Sequence, residues 1–539
     1  MDPLRWSVSV VTAISISCGS LNCSQSSKDT ELPDSGKESR GPQEKGMKGA
    51  GSAGMGKLRG EQGEEFAGPD LTDEALAARI VAQSKLLGSA ELFEDAQGRP
   101  IIPVWKPEEK DIASDEEDDG SILDRLPGSS GIAADGQLGG ENQVNGNALG
   151  LYVPLQQSSS TLSNFYNALR QLEEQPIDEE GKPRKVRILA YGASHTQADI
   201  FTDYMREYLQ ERFGDAGHGF VSPVRVNRWY RHIDVAIESS KGWKVEHAQK
   251  HDARGDGFYG LLGMSGSSKN RRDYARIRPN FRRLSDRDSN SQDVSFQYEV
   301  SYFGHPKSGH FHLFADRNQF VSVRTRNRNP GIQFYDFTPP PEHSTLEFRP
   351  KGNGEVRLFG VIIERDRPGI VLDTLGISGT RITNHLVWDE TIWRTSVQRR
   401  NPALYILAYG TNEATDIDQP VSDYEQKLRT VVQRFRDTLP QASCLIVGPG
   451  DFSIKIDEDN WKSHPKVEDI AKIQEKVAKE LDCAFWDALA FMGGKGSIMI
   501  WANSYPQMAS KDHIHLTRRG YVRMGMALTD ALMDGYEVQ

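Results

Sequence analysis

Cysteine is scarce in this chain, and the scarcity excludes a good deal. Four cysteines in 539 residues are too few for a disulfide scaffold, and no CxxC pair or Cys/His cluster suggests zinc. A Gly-rich phosphate loop, an HExxH helix and an acidic metal cluster are also missing. Positive charge is outnumbered, with 65 Lys and Arg against 76 Asp and Glu and a net charge of −11. That balance argues against nucleic acid as the main partner, although a net charge can hide local patches. Hydrophobic residues make up only 37% of the chain and mean hydropathy is −0.58, so part of it is expected to remain disordered. The apolar run Trp6–Ile16 is too short to span a bilayer as a helix.

What is present begins with that run. Arg5, the apolar stretch and Ser17-Cys18 resemble a bacterial lipoprotein export signal with Cys18 as the lipidated residue. Ser15 stands where such signals usually carry Leu, and Asp2 is unusual so early. Cys23, or cleavage without lipid, is the alternative. Residues 1–17 therefore read as a signal and 18–150 as a flexible tether and linker. The tether is poor in aliphatic residues, contains a short helix expected over Leu71–Phe93, and carries an acidic run, Asp115–Asp119, expected to be solvated linker.

Order is expected from about residue 151. Leu162, Phe165, Leu169 and Leu172 recur at helical spacing. Val186–Ala190 reads as a buried strand and Ala198–Phe213 as a helix. From Val224 to Glu364 the pattern changes to strict alternation, clearest at Val294, Phe296, Tyr298, Val300 and Tyr302. This predicts an antiparallel β-sandwich. Beyond it, strands over Ile370–Leu375, Leu404–Tyr409, Ser443–Val447 and Ala484–Trp486 alternate with helices over Ile382–Arg394, Ser422–Thr438, Val467–Glu480 and Arg518–Met533. Such alternation implies a parallel sheet covered on both faces. The fold class is thus α/β, with an α/β domain formed by 151–223 and 365–539 and a β-sandwich, 224–364, inserted in it.

Ligands of such sheets sit beyond the carboxyl ends of the strands. Three loops there carry small or polar residues: Gly192-Ala193-Ser194-His195, Gly376-Ile377-Ser378-Gly379-Thr380 and Tyr409-Gly410-Thr411-Asn412-Glu413. A fourth candidate is Lys511–Thr517. Each residue alone has a plain structural reading: Ser194 and Asp512 as caps, Gly379 as a turn glycine, Asn412 as a loop residue, His513 and His515 as surface histidines. Together they supply what acyl transfer by serine requires. Ser194 would be the nucleophile. Asp512 and His515, three apart, would be orienting carboxylate and base. The N–H groups of Ser194 and Gly379 and the Asn412 amide would be oxyanion donors.

Ser194, Gly379, Asn412 and His515 stand in the order that names the SGNH (GDSL-like) hydrolases, and the chain resembles that superfamily over about Thr161–Leu532. GASHT, GISG, YGTNE and DHIH correspond to its blocks, and FGDAGHGF (Phe213–Phe220) and Phe485-Trp486-Asp487 resemble the bacterial branch of peptidoglycan O-acetylesterases. The resemblance implies a flavodoxin-like three-layer α/β/α fold and an ester hydrolysis that needs no metal or cofactor. It gives Ser194, Asp512 and His515 catalytic roles and assigns Ser194, Gly379 and Asn412 to the oxyanion hole. His515 rather than His513 fits its DxxH spacing. The chain departs from it at Ala193, where the family carries Asp.

The reading is an exported esterase, periplasmic or attached to the outer membrane through a lipid anchor. It would remove O-acetyl groups from a polysaccharide. The alternatives are a polysaccharide O-acetyltransferase and a non-catalytic glycan-binding protein. In the insert, Trp229-Tyr230, Trp243, Phe258-Tyr259 and His310-Phe311-His312 are either core or sugar-stacking residues. Arg271, Arg272, Arg276, Arg278, Arg282, Arg283 and Arg287 read first as a solvated loop and second as an anionic-glycan contact. Cys444 and Cys483 are either a disulfide or two buried thiols.

Overall fold

The computed structural model describes residues 93–94, 100–101, 152–158, 160–249, 255–279, 296–340, 343–457, 460–504 and 507–538. The signal, Cys18, the acidic run and the helix expected over Leu71–Phe93 lie outside them, except that Phe93–Glu94 pairs with Pro100–Ile101 as two short strands.

Five parallel strands form the central sheet. Their spatial order is Gly369–Gly376, Lys185–Gly192, Leu404–Ala408, Ser443–Val447 and Ala484–Trp486. In chain order this is 2-1-3-4-5, the flavodoxin-like arrangement. These strands are mostly apolar because both faces are covered, with Lys185, Arg187 and Asp373 as charged exceptions. On the first strand Ile188 and Ala190 join one buried cluster and Leu189 and Tyr191 the other. The helices Ser163–Glu174 and Arg518–Val538 pack in the cluster with Ile188, while Val421–Thr438 and Val467–Glu480 contribute Leu428, Phe435, Ile470 and Val477 to the one with Leu189.

Between the first two strands in sequence the chain makes two antiparallel sheets. One orders Asn318–Val323, Phe311–Ala315, Leu346–Pro350, Ala275–Pro279 and Val235–Ser239; the other orders Gly331–Phe337, Phe296–Gly304, Val356–Arg365, Met264–Ser268 and Lys244–His247. Gly219–Val221 also pairs with Val356–Arg365, so the antiparallel pairing begins before the expected Val224. The interior of these sheets is continuous with the Leu189 face of the parallel sheet. Tyr191 donates its hydroxyl to Leu261 O across that boundary at 2.9 Å.

Where the chain returns to the parallel sheet, Arg400 bonds Asp373 at 2.7 Å and Glu364 at 2.7 Å, and Arg187 also donates to Glu364. Asp373 accepts Phe220 N at 2.8 Å. Each buried charge therefore faces a counter-charge, which is what makes its burial tolerable.

Two helices depart from expectation. The helix expected over Ala198–Phe213 is interrupted: a single turn runs Ser194–Gln197 and a second helix Phe201–Phe213. Asp199, between them, takes φ 52°. Its carboxylate accepts Arg206, Thr202 and Thr374 on one oxygen and Ile233 N on the other. The helix expected over Ile382–Arg394 becomes a 3₁₀ turn, Ile382–Leu386, and a helix, Glu390–Arg400. Asp389 starts the second by accepting Ile392 N at 2.9 Å.

The disulfide alternative holds for Cys444 and Cys483, which are bonded. The arginine segment is not simply a loop: Arg276 and Arg278 lie on the strand Ala275–Pro279, pairing with Glu347 and Glu238. Arg282, Arg283 and Arg287 lie outside the described residues. Of the aromatic candidates, Tyr230, Trp243, Tyr259 and Phe311 are core. Trp229 is 58% exposed.

Candidate active site

The first parallel strand ends at Gly192, and the chain turns at once into the single helical turn that begins with Ser194. A Cβ at Gly192 would lie 2.0 Å from Thr196 Oγ1 and 2.8 Å from Ala408 O, so only glycine lets the turn close this tightly. The turn is fastened by Gln197 N donating to Ala193 O at 2.9 Å and Ala198 N to Ser194 O at 3.1 Å. Ala193 is buried. It lines a mostly apolar cavity with Phe491, Met492, Ile514 and Asp451, so backbone bonds hold the turn where the family would place a carboxylate.

The loop Lys511–Thr517 approaches from the far end of the chain. Asp512 Oδ1 accepts the backbone N–H of Ile514 at 3.0 Å and of His515 at 2.9 Å. Asp512 Oδ2 lies 2.7 Å from His515 Nδ1, and His515 Nε2 lies 2.9 Å from Ser194 Oγ. Partial burial opposes ionisation of Asp512, but the bonds from the His515 ring and the two N–H groups outweigh it and hold its pKa down at about 2. An ionised Asp512 can only accept, so His515 Nδ1 carries the proton. In the neutral ring Nε2 is then the acceptor for the Ser194 hydroxyl. That is the tautomer a general base needs.

His513 is turned away. It takes φ 53° and its ring packs against Trp461 at 4.3 Å between centroids. His195, next to the serine, shares a hydrogen bond from Nδ1 to the Tyr521 hydroxyl at 2.8 Å, and its ring lies 5.3 Å from that of His515. Burial and the neighbouring His515 push its pKa down to about 3, so it stays neutral beside the base.

The two remaining loops follow the strands on either side of the one that ends at Gly192. Gly379 has φ 80°, a left-handed conformation in which glycine is unstrained. Asn412 Nδ2 donates to Thr380 O at 2.9 Å, which fixes the side-chain amide and leaves its second N–H as a donor. Glu413 ties the two loops together, accepting Ile382 N at 2.7 Å and Gly410 N at 3.0 Å.

Residues 323–523 match the GDSL-like lipase/acylhydrolase family. The match includes Gly379, Asn412, Asp512 and His515 but begins after Ser194, which the fold returns to them. Over those residues the chain is similar to the GDSL-like acylhydrolases, and its fold is of the SGNH type. No curated protein matches it. Among solved structures it is similar to a peptidoglycan O-acetylesterase, with TM-score 0.58 and 24% identity over 71% of this chain and 99% of that one. An acetyl xylan esterase gives TM-score 0.24 and 18% identity over 31% and 82%. A family two carbohydrate esterase from Cellvibrio japonicus gives TM-score 0.24 and 11% identity over 56% and 98%.

Several residues around this site have no motif to announce them. Gln197 Oε1 accepts Ser378 N at 2.9 Å and Asn227 Nδ2 at 2.9 Å, and Gln249 Nε2 donates to Ser378 O at 2.9 Å. Behind the serine turn, buried Asp199, His218 and His232 place one donor atom each within 4.8 Å of one another, a geometry a metal could use. The group is already engaged internally. Arg206 neutralises Asp199 at 3.0 Å, His218 Nε2 meets His232 Nδ1 at 3.0 Å, and His232 Nε2 meets the Tyr230 hydroxyl at 2.8 Å. Burial pushes His232 down to about 4, and the ensemble reads as an anchor for the turn carrying Ser194.

Proposed function

We propose that this protein is a serine esterase that removes O-acetyl groups from a polysaccharide of the cell envelope. The observation that carries the reading is the unbroken line Asp512–His515–Ser194, with contacts of 2.7 and 2.9 Å. His515 Nε2 takes the Ser194 proton as Oγ bonds to the acetyl carbonyl carbon. The carbonyl oxygen becomes an oxyanion, held by the Ser194 and Gly379 N–H groups and the Asn412 amide. His515 returns the proton to the sugar oxygen as its bond to the acetyl carbon breaks. Water, deprotonated by His515, then attacks the acetyl-serine, and acetate leaves as Ser194 regains its proton.

A sugar polymer as substrate is supported by Trp229. It is exposed, and its backbone N–H donates to Asn227 Oδ1, a side chain whose amide pairs with Gln197 three residues after the serine. An exposed indole beside the site is a surface on which a sugar ring can stack. The solved peptidoglycan O-acetylesterase of the same fold makes acetylated peptidoglycan the first polymer to try. Export, with Cys18 as anchor, is part of this proposal. It is supported by the Cys444–Cys483 disulfide, a bond that persists in oxidising compartments.

The test is acetate release from O-acetylated peptidoglycan, xylan and alginate by wild type and Ser194→Ala. Release from peptidoglycan by wild type alone is expected. Equal, negligible release by both proteins from every polymer would overturn the proposal.

A further inference from the structure

Both backbone groups of Ser378 are held by side-chain amides, and its carbonyl belongs to the Ser378–Gly379 peptide. On one side Ser378 N donates to Gln197 Oε1 at 2.9 Å. On the other, Ser378 O accepts Gln249 Nε2 at 2.9 Å. Gln197 belongs to the turn that carries Ser194. Gln249 does not belong to the α/β domain. It follows the strand Lys244–His247 of the inserted antiparallel sheets and is buried, 8% exposed.

This carbonyl matters because of what shares its plane. In a trans peptide the C=O of one residue and the N–H of the next point in opposite directions from a rigid unit. Fixing Ser378 O therefore fixes the direction of Gly379 N–H. That loop glycine has φ 80°, and nothing in its own side chain resists rotation of the plane. The packing is close: a Cβ on Gly379 would lie 2.7 Å from Gln249 Nε2. Asn227, also from the inserted segment, pairs with Gln197 through both amide atoms, at 2.9 and 3.3 Å. The residue that holds Ser378 N is thus itself steadied from the insert.

We propose that Gln249 is a positioning residue through which the inserted β-sheets aim the Gly379 N–H of the oxyanion hole. The inference rests on the acyl-serine reading and adds that the insert is part of the catalytic apparatus, beyond any role in holding the polymer. A donor aimed at a charge that develops only in the transition state changes kcat and leaves ground-state binding alone.

The experiment uses the full chain with Gln249→Met, which keeps length and loses the donor, and Gln249→Glu, which sets a carboxylate against the carbonyl. Both are assayed on an aryl acetate beside wild type, with melting temperatures recorded. Expected is a kcat lower by roughly tenfold to a hundredfold in both, less than or equal to the loss of a whole oxyanion donor. KM should stay within about twofold and melting temperature near wild type, because one side-chain bond is a small share of the stability of the fold. A crystal structure of Gln249→Met should show the Ser378–Gly379 peptide turned. Full kcat in both variants, or an unmoved peptide in that structure, would overturn the inference and leave the esterase reading standing. A wild type lacking Ser194-dependent turnover would overturn both.

Discussion

Asp512 and His515 are joined twice by one carboxylate: Oδ1 takes the His515 backbone N–H at 2.9 Å and Oδ2 lies 2.7 Å from its ring Nδ1. The first bond sets where the residue sits and the second sets how its ring is turned and which nitrogen is protonated. Asp512→Asn keeps a side chain of the same shape but can donate to Nδ1, selecting the wrong tautomer. Its kcat should fall by roughly 10³–10⁴-fold with the fold intact, as for other triads. His513→Ala should cost little activity and His515→Ala nearly all of it, read by aryl acetate hydrolysis.

Gly379→Ala is expected to lower kcat by roughly 10²-fold. The alanine meets a strained φ of 80° and would push on Gln249 at 2.7 Å. KM for the aryl acetate should change far less than kcat.

The pH dependence divides between two properties. Asp512 is held down at about 2 and His195 at about 3, so neither changes charge in the range where the enzyme would be assayed. The acid limb of kcat/KM should therefore carry no contribution from Asp512 or His195. Stability behaves differently. His195, His232 and His385 are pushed down to about 3, 4 and 3 from 6.5. Below pH 6.5 the unfolded chain binds protons that the folded chain does not, so stability falls as pH drops from 6.5 towards 4. Asp512 adds a further loss between about 4 and 2. Melting temperature against pH should decline through this window, and a flat profile would count against the buried neutral histidines.

Trp229→Ala should raise KM for an acetylated polymer several-fold while leaving aryl acetate turnover near wild type. The residue is exposed, and its backbone N–H bonds Asn227, which in turn meets Gln197.

Ala193→Asp tests the family's missing carboxylate. The side chain would enter the mostly apolar cavity shared with Asp451, whose carboxyl burial already raises to about 6. Loss of about 1–3 kcal/mol of stability is expected, with no gain in kcat, because Gln197 N and Ala198 N already fasten the turn.

The parallel sheet and the triad were legible because their signals are local or ordered. Leu404–Ala408 is apolar on both faces, and Val186–Ala190 is so apart from Arg187. Asp512 and His515 lie within one turn of chain. Ser194, Gly379, Asn412 and His515 follow a recognisable order despite the insert between the first two. The interruptions at Asp199 and Asp389 were not legible. In each a carboxylate finds partners that compete with helix continuation, and at Asp199 those include Arg206 and Thr374, which only the fold brings near. Gln249 was invisible for the same reason. A glutamine has no motif, and the carbonyl it holds is 129 residues away in sequence. Sequence pattern also left core and surface aromatics mixed, and burial alone separates Trp229 from Tyr230.

The central claim is that Ser194 carries the acetyl group. Acetate release from O-acetylated peptidoglycan, measured side by side for wild type and Ser194→Ala at equal concentration and matched melting temperature, tests it most directly. The account predicts steady release by the wild type and a rate lower by at least roughly 10³-fold in the variant. Release by Ser194→Ala at the wild-type rate would contradict it.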